Sequence, residues 1–265
     1  MDWRKTWWIA PISLIGIACF LLPNKTNSDS ILGKRKQNLE KKNFQKSVLK
    51  SGLNKRNCDH ILPWNVLPGK YFVCRKTYAL SMNSESKMAD WVAYCADKNN
   101  LINDNIEQNR DWEKDPDLPE TVQLEPSDYR QVSKAGYDRG HQAPLATFKG
   151  KNWQETNYTS NITPQKPQLN RGVWLDLEKY ERSLIKKHGK VCTITGPYYE
   201  ESLRMPNLIY ADESHIVPNG YWKIIKYSGK TEGYLYRQDT PKDVDYKLGS
   251  ISPEKIESFA GFEIN

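Results

Sequence analysis

Three ionisable side chains stand within four positions at Asp138-Arg139-Gly140-His141: a carboxylate, a guanidinium and an imidazole. Gln142-Ala143-Pro144 follows, a run that extends neither a helix nor a long strand. An imidazole titrates near neutral pH and can take a proton from water, while a guanidinium grips phosphate oxygens through forked hydrogen bonds. Downstream lie the amides Asn157, Asn161 and Asn170, then Glu178 and Arg182. These residue types fit hydrolysis of a phosphodiester. His141 would activate water, a hard cation would be held through the amide oxygen of Asn170, and Arg110, Arg139 and Arg182 would offset charge growing in the transition state. Glu178 and Asp138 would stand behind the cation as supporting carboxylates.

Each residue also has a plain structural reading. Asn157 and Asn161 can satisfy turn backbone, Glu178 and Arg182 form a favourable i,i+4 helix pair, and Arg110 lies in a loop rich in Pro and Asp. His60, His188 and His215 lack comparable neighbours and read as ordinary. The absence of HExxH, GxSxG and GxxxxGK[ST] removes the zinc-protease, serine-hydrolase and P-loop readings. No Cys-x-x-Cys is present to form a zinc ribbon.

The elements that must position these groups follow from the surrounding pattern. A strand ends at His141, and the polar run NYTSNIT at 157–163 reads as a return strand stopped by Pro164 and Pro167. Val173, Leu177, Tyr180 and Leu184 recur at helical spacing, with Gly189 placed to end the helix. At about 100° per residue, Asn170, Glu178 and Arg182 project from one side of that predicted helix. Tyr71–Tyr78, Trp91–Cys95, VCTITG, YWKIIKY and GYLYRQ read as strands, and Ser252-Pro253 opens a last helix closed by Gly261. Residues 105–129 read as a long surface connection. Strands and helices mix without βαβ alternation, so the expected class is α+β. Cys58 and Cys74 can close a disulfide in an oxidising compartment, whereas Cys95 and Cys192 read as core residues.

The 265-residue chain carries a net charge of +7, unevenly placed. Residues 24–56 hold ten basic and two acidic side chains, so residues 57–265 are slightly acidic and phosphate binding must rest on particular arginines. Three regions are expected: 1–23 a signal peptide or membrane anchor, 24–56 a basic flexible tether, and 57–265 the folded domain. Arg4 and Lys5 precede an apolar run from Trp7 to Leu22, which favours export or membrane association. The higher Lys and Arg density after that run opposes export, and the two signals conflict. A catalytically silent protein held on nucleic acid by the tether is the rival reading.

The motif DRGHQAP, followed by NYTSNITPQKPQLNRGVWLDLE and Arg182, resembles the DNA/RNA non-specific endonucleases, the ββα-metal or His-Me finger nucleases. The likeness runs from about Tyr78 to the C-terminus and takes in NRDWEKDP, TGPYYE and HIVPNGYWKII. It implies a ββα finger on a six-stranded antiparallel sheet flanked by helices. It also implies a Mg²⁺-dependent or Mn²⁺-dependent endonuclease acting on DNA and RNA, leaving 5′-phosphate ends and needing no organic cofactor. By resemblance, His141 is the general base, Asn170 the direct metal ligand, and Glu178 a carboxylate beyond the ligand sphere. Arg110, Arg139 and Arg182 surround the phosphates, Asn161 orients groups at the site, and Asp138 positions the motif. Secreted, periplasmic, membrane-anchored and organellar locations all fit, and oligomeric state, a homodimer included, is not legible.

Overall fold

The computed structural model describes residues 58–64, 66, 69, 71–102, 111–150, 152–200, 202–260 and 264. The expected anchor, the basic tether, Arg110 and Gly261 lie outside these residues. Among the described residues, no helix is long and apolar enough to cross a membrane.

The strands β1 (Tyr71–Cys74), β2 (Ala79–Met82) and β3 (Ala89–Asp97) form a meander. Two four-residue strands follow, β4 (Asp138–His141) and β5 (Ile162–Gln165), and then two helices, α1 (Pro167–Asn170) and α2 (Val173–His188). The chain returns through β6 (Lys190–Tyr198), β7 (Gly220–Tyr227), β8 (Lys230–Arg237) and β9 (Ser250–Ile251), and α3 (Pro253–Ala260) follows. The named strands all pair antiparallel, in a seven-stranded sheet ordered β1-β2-β3-β6-β7-β8-β9 and a separate β4-β5 ribbon. Seven strands replace the expected six. The two residues of β9 add to the edge through Gly233 and Tyr234, and are too few to show a period.

Period-2 alternation gives the sheet two buried faces. Tyr221 and Ile225 pack with Trp174, Leu177 and Ile185 of α2, while Trp222 and Ile224 of the same strand pack with Trp64, Trp91 and Ile256 of α3. The helical spacing anticipated for Val173 to Leu184 is realised, with Gly189 closing α2 at φ 88°.

Four expectations change. Cys95 and Cys192 form a disulfide alongside the anticipated Cys58–Cys74 bond, because they stand directly opposite one another on β3 and β6. Beyond Asp111, the supposed surface connection buries Asp115, Leu118, Val122, Gln123, Leu124 and Tyr129. Its polar anchor is Asp115, which binds Arg75 and the hydroxyl of Ser160 (2.5 Å). The run 157–163 is mostly turn: two 3₁₀ segments, Trp153–Asn157 and Thr159–Asn161, precede β5. Pro164 lies inside β5, opposite Arg139, which a two-stranded ribbon with free outer edges tolerates. Finally, Asn170 does not share a helix with Glu178, because Arg171-Gly172 separates α1 from α2. A Cβ at Gly172 would lie 2.4 Å from the Gln168 carbonyl and 2.5 Å from that of Lys242.

Candidate active site

The β4-β5 ribbon presents Asp138, Arg139 and His141, and α1 and α2 close over them. Within the ribbon, Gly140 makes room for a side chain of the partner strand: a Cβ there would lie 2.4 Å from the buried side chain of Gln165. Arg139, His141, Asn170 and Glu178 together line a cleft of about 340 Å³, joined by Lys149, Arg171 and the apolar rim of Leu145 and Leu175. The sequence separation of these four is bridged by the ribbon register, Asp138 opposite Gln165 and His141 opposite Ile162.

His141 is fixed by its Nε2, which lies 3.2 Å from Oδ1 of the buried Asn157. An amide oxygen only accepts, so Nε2 carries the hydrogen, and in the neutral ring the lone pair is then on Nδ1. The Trp112 ring centroid lies 5.4 Å from that of the imidazole and 5.3 Å from the carbon of the Arg139 guanidinium, so one indole packs beside both groups. Arg139 donates from Nη2 to the Tyr129 carbonyl (2.6 Å), and burial draws its pKa below the usual arginine value without removing its charge.

Asp138 is the junction between ribbon and helices. Its Oδ2 accepts from Asn170 Nδ2 (3.0 Å) and Arg171 Nε (2.7 Å), and its Oδ1 accepts from Arg171 Nη2 (2.5 Å). The Asn170 amide is thereby oriented, with its nitrogen on Asp138 and its oxygen left to accept from another group or ligate a cation. Glu178, on the first turns of α2, faces the same cleft, and Arg182 stands 3.8 Å from its carboxylate. Burial pushes the Glu178 carboxyl up to about 7, against the opposing pull of Lys223 and Arg182. An amide oxygen beside a carboxylate is a donor set suited to a hard divalent cation, and the residues present fit one.

Two expected site residues stand back from the cleft. Asn161 is fully buried beneath it, with Oδ1 accepting from the Ala143 N–H (2.8 Å) and Nδ2 donating to the carbonyls of Ala143 (3.0 Å) and Thr156 (2.8 Å). It ties the turn after His141 to the segment carrying Asn157. Arg182 meets the cleft through Glu178. Conversely, Trp112, Lys149 and Arg171 were not singled out from the sequence. Trp112 was visible in NRDWEKDP, but the contacts of Lys149 and Arg171 depend on tertiary placement. His60 and His215 are indeed structural: His60 bridges the Arg75 and Lys76 carbonyls to the Cys95 N–H, and His215 ties Leu208 to Glu213.

A two-stranded ribbon followed by a helix, laid on a central antiparallel sheet, is the ββα-metal fold of a class of nucleases. A family model for DNA/RNA non-specific endonucleases matches residues 65–265, and the chain belongs to that family. Its activity is accordingly that of a nucleic-acid endonuclease. It is 38% identical to a nuclease of Serratia marcescens over 201 residues, covering 72% of this chain and 74% of that protein. It is 30% identical to the mitochondrial endonuclease G of Homo sapiens over 159 residues, covering 57% and 52% respectively. A chain in the crystal structure of the EndoG/EndoGI complex shares the fold, with a TM-score of 0.65 at 24% identity over 80% of this chain and 91% of that one.

Proposed function

We propose that the chain is a divalent-metal-dependent endonuclease of DNA and RNA in which His141 draws a proton from the attacking water. The supporting observation is the convergence of His141, Arg139, Asn170 and Glu178 on one cleft, with the imidazole tautomer set by Asn157. Nδ1 of His141 takes the proton, and the Nε2–H bond to Asn157 stabilises the imidazolium that results. Arg139 and Lys149 hold phosphate oxygens at the cleft, Arg182 adds positive charge beside Glu178, and Arg110 takes the phosphate-binding role that the family resemblance implies for it. Asn170 would ligate Mg²⁺ through Oδ1, with Mn²⁺ as a substitute, and Glu178 would accept hydrogen bonds at its edge. The cation, when bound, supplies positive charge to the phosphate and the leaving oxygen. Asp138 keeps Asn170 in register, so its role is positioning.

Contacts of this kind engage phosphates and carry little sequence information, which accords with weak base preference and with both sugars as substrates. Two disulfides and the apolar run near the N-terminus favour export or an organellar compartment over the reducing cytosol. The test is digestion of supercoiled plasmid, single-stranded DNA and RNA with Mg²⁺ or EDTA. Cleavage of all three with Mg²⁺ alone is expected. Equal cleavage in EDTA would overturn the metal requirement, and loss of either nucleic acid as substrate would overturn the sugar-non-specific reading.

A further inference from the structure

Behind the cleft lies a second set of charges that the hydrolysis does not use directly. Lys223 of β7 is completely buried, and its ammonium donates to Glu181 Oε2 (3.3 Å) and to the Tyr94 hydroxyl (3.3 Å). Tyr94 in turn donates to the same Glu181 oxygen (3.0 Å), closing a triangle across β3, β7 and α2. The ammonium also sits 4.8 Å from the Trp174 ring centroid.

Stability does not account for this pair. Taking a lysine and a glutamate out of water costs several kcal/mol per ion, and apolar side chains of similar volume commonly serve a fold at least as well. Its location does account for it. Trp174, Glu178 and Glu181 occupy positions i, i+4 and i+7 of α2, one stripe within about 60° of arc. Lys223 contacts the first and third of these side chains, and Glu178 lies between them on the same stripe of α2. Among the charges acting on Glu178, that of Lys223 is the largest.

We propose that Lys223 is a positioning residue for the cleft: its ammonium, anchored by Glu181 and Tyr94, is the fixed counter-charge that sets the Glu178 carboxylate at the cleft floor. Glu181 and Tyr94 hold the ammonium in one place, and Glu178 keeps its cleft-facing position. The proposal rests on the reading of Glu178 as part of the hydrolytic site.

The test compares the full chain with Lys223→Met/Glu181→Gln, which removes both buried charges and leaves neither unpaired, and with Glu178→Gln in each background. A folded double variant with an unreduced Tm, a kcat lower by about tenfold or more and a KM within about twofold is expected. Glu178→Gln should then cost less in the double variant than in the wild type. Wild-type kcat in the double variant, or an equal cost of Glu178→Gln in both backgrounds, would overturn the proposal and leave the pair purely structural. Should the double variant fail to fold, Tyr94→Phe keeps volume and charge while removing one of the two hydrogen bonds that hold the ammonium. A kcat reduced severalfold at constant KM supports positioning, and an unchanged kcat contradicts it. If the wild type cleaves no nucleic acid, the hydrolytic reading fails separately. The rise in Tm on adding Mg²⁺ then decides: a smaller rise in the double variant supports the role of Lys223, and an equal one removes it.

Discussion

The β4-β5 finger and the seven-stranded sheet solve the same problem, holding side chains in place, by different means. The sheet uses backbone ladders of up to eight paired residues, two apolar faces and a cross-strand disulfide. The finger has strands of four residues and relies on side-chain hydrogen bonds: Asn161 to Ala143 and Thr156, Asn157 to His141, and Asp138 to Asn170 and Arg171. A ladder distributes its support over many groups, whereas a side-chain bond concentrates it in one. Substitutions in the sheet, Lys223 and Tyr94 apart, should therefore cost stability while sparing the chemistry of the folded molecules, and substitutions in the finger should do the reverse.

The largest effect on stability is expected in the sheet. Trp222 is fully buried with its Nε1 bonded to the Pro197 carbonyl (3.0 Å), so Trp222→Ala should cost about 3–5 kcal/mol by denaturant unfolding. Its rate per folded molecule should stay near wild type. Loss of rate in proportion to Trp222→Ala destabilisation, at conditions where the variant is fully folded, would dissolve the division between the two regions.

In the finger, Asn157→Ala frees the His141 ring to rotate and change tautomer. A 10–100-fold fall in kcat with Tm shifted by only a few degrees is expected, on the scale of other partners that orient a reacting group. An Asn157→Asp variant, which restores an acceptor at that place, should recover part of the loss. No recovery would show that Asn157 acts on the backbone and not on the imidazole.

A smaller, graded effect concerns pH. The Glu178 carboxyl is raised to about 7 by burial, so below that pH it carries a proton that cation binding must displace. Apparent Mg²⁺ affinity, measured by calorimetry, should rise by up to about tenfold per pH unit below 7 and level off above it. Glu178→Gln should flatten this dependence. An unchanged slope in that variant would assign the proton elsewhere.

The smallest effect belongs to His60, whose burial lowers its pKa below the ordinary imidazole value. Its neutral form accepts from the Cys95 N–H, and the folded state resists protonation more than the unfolded one. Its contribution is therefore present above about pH 6.5 and is lost as pH falls through that region. Tm measured between pH 7.5 and 5.5 should drop less in His60→Gln than in the wild type.

How much of this was legible in the sequence follows the same division. The motif around His141 and the amphipathic spacing from Val173 to Leu184 were readable because chemistry and core contacts both recur locally. The placement of Asn170 on its own turn was not, since helical phase alone carries through Gly172, and only the close approach of the Lys242 backbone shows why a residue without a side chain stands at the junction. The Cys95–Cys192 bond joins residues 97 apart through a strand register that no local pattern encodes. Asp115 lay in a stretch that composition marks as solvent-exposed. Its burial depends on Arg75 and Ser160, which arrive from two other parts of the chain.

The most direct measurement is single-turnover cleavage of supercoiled plasmid by the wild type, His141→Ala and Asn170→Ala at saturating Mg²⁺, with circular dichroism confirming that all three are folded. The account expects each variant to lose at least about a thousandfold in rate, a loss on the scale of removing a general base or a metal ligand. A folded His141→Ala variant that cleaves within about tenfold of the wild type would contradict the role of the imidazole, and with it the reading of the cleft as the place where phosphodiesters are hydrolysed.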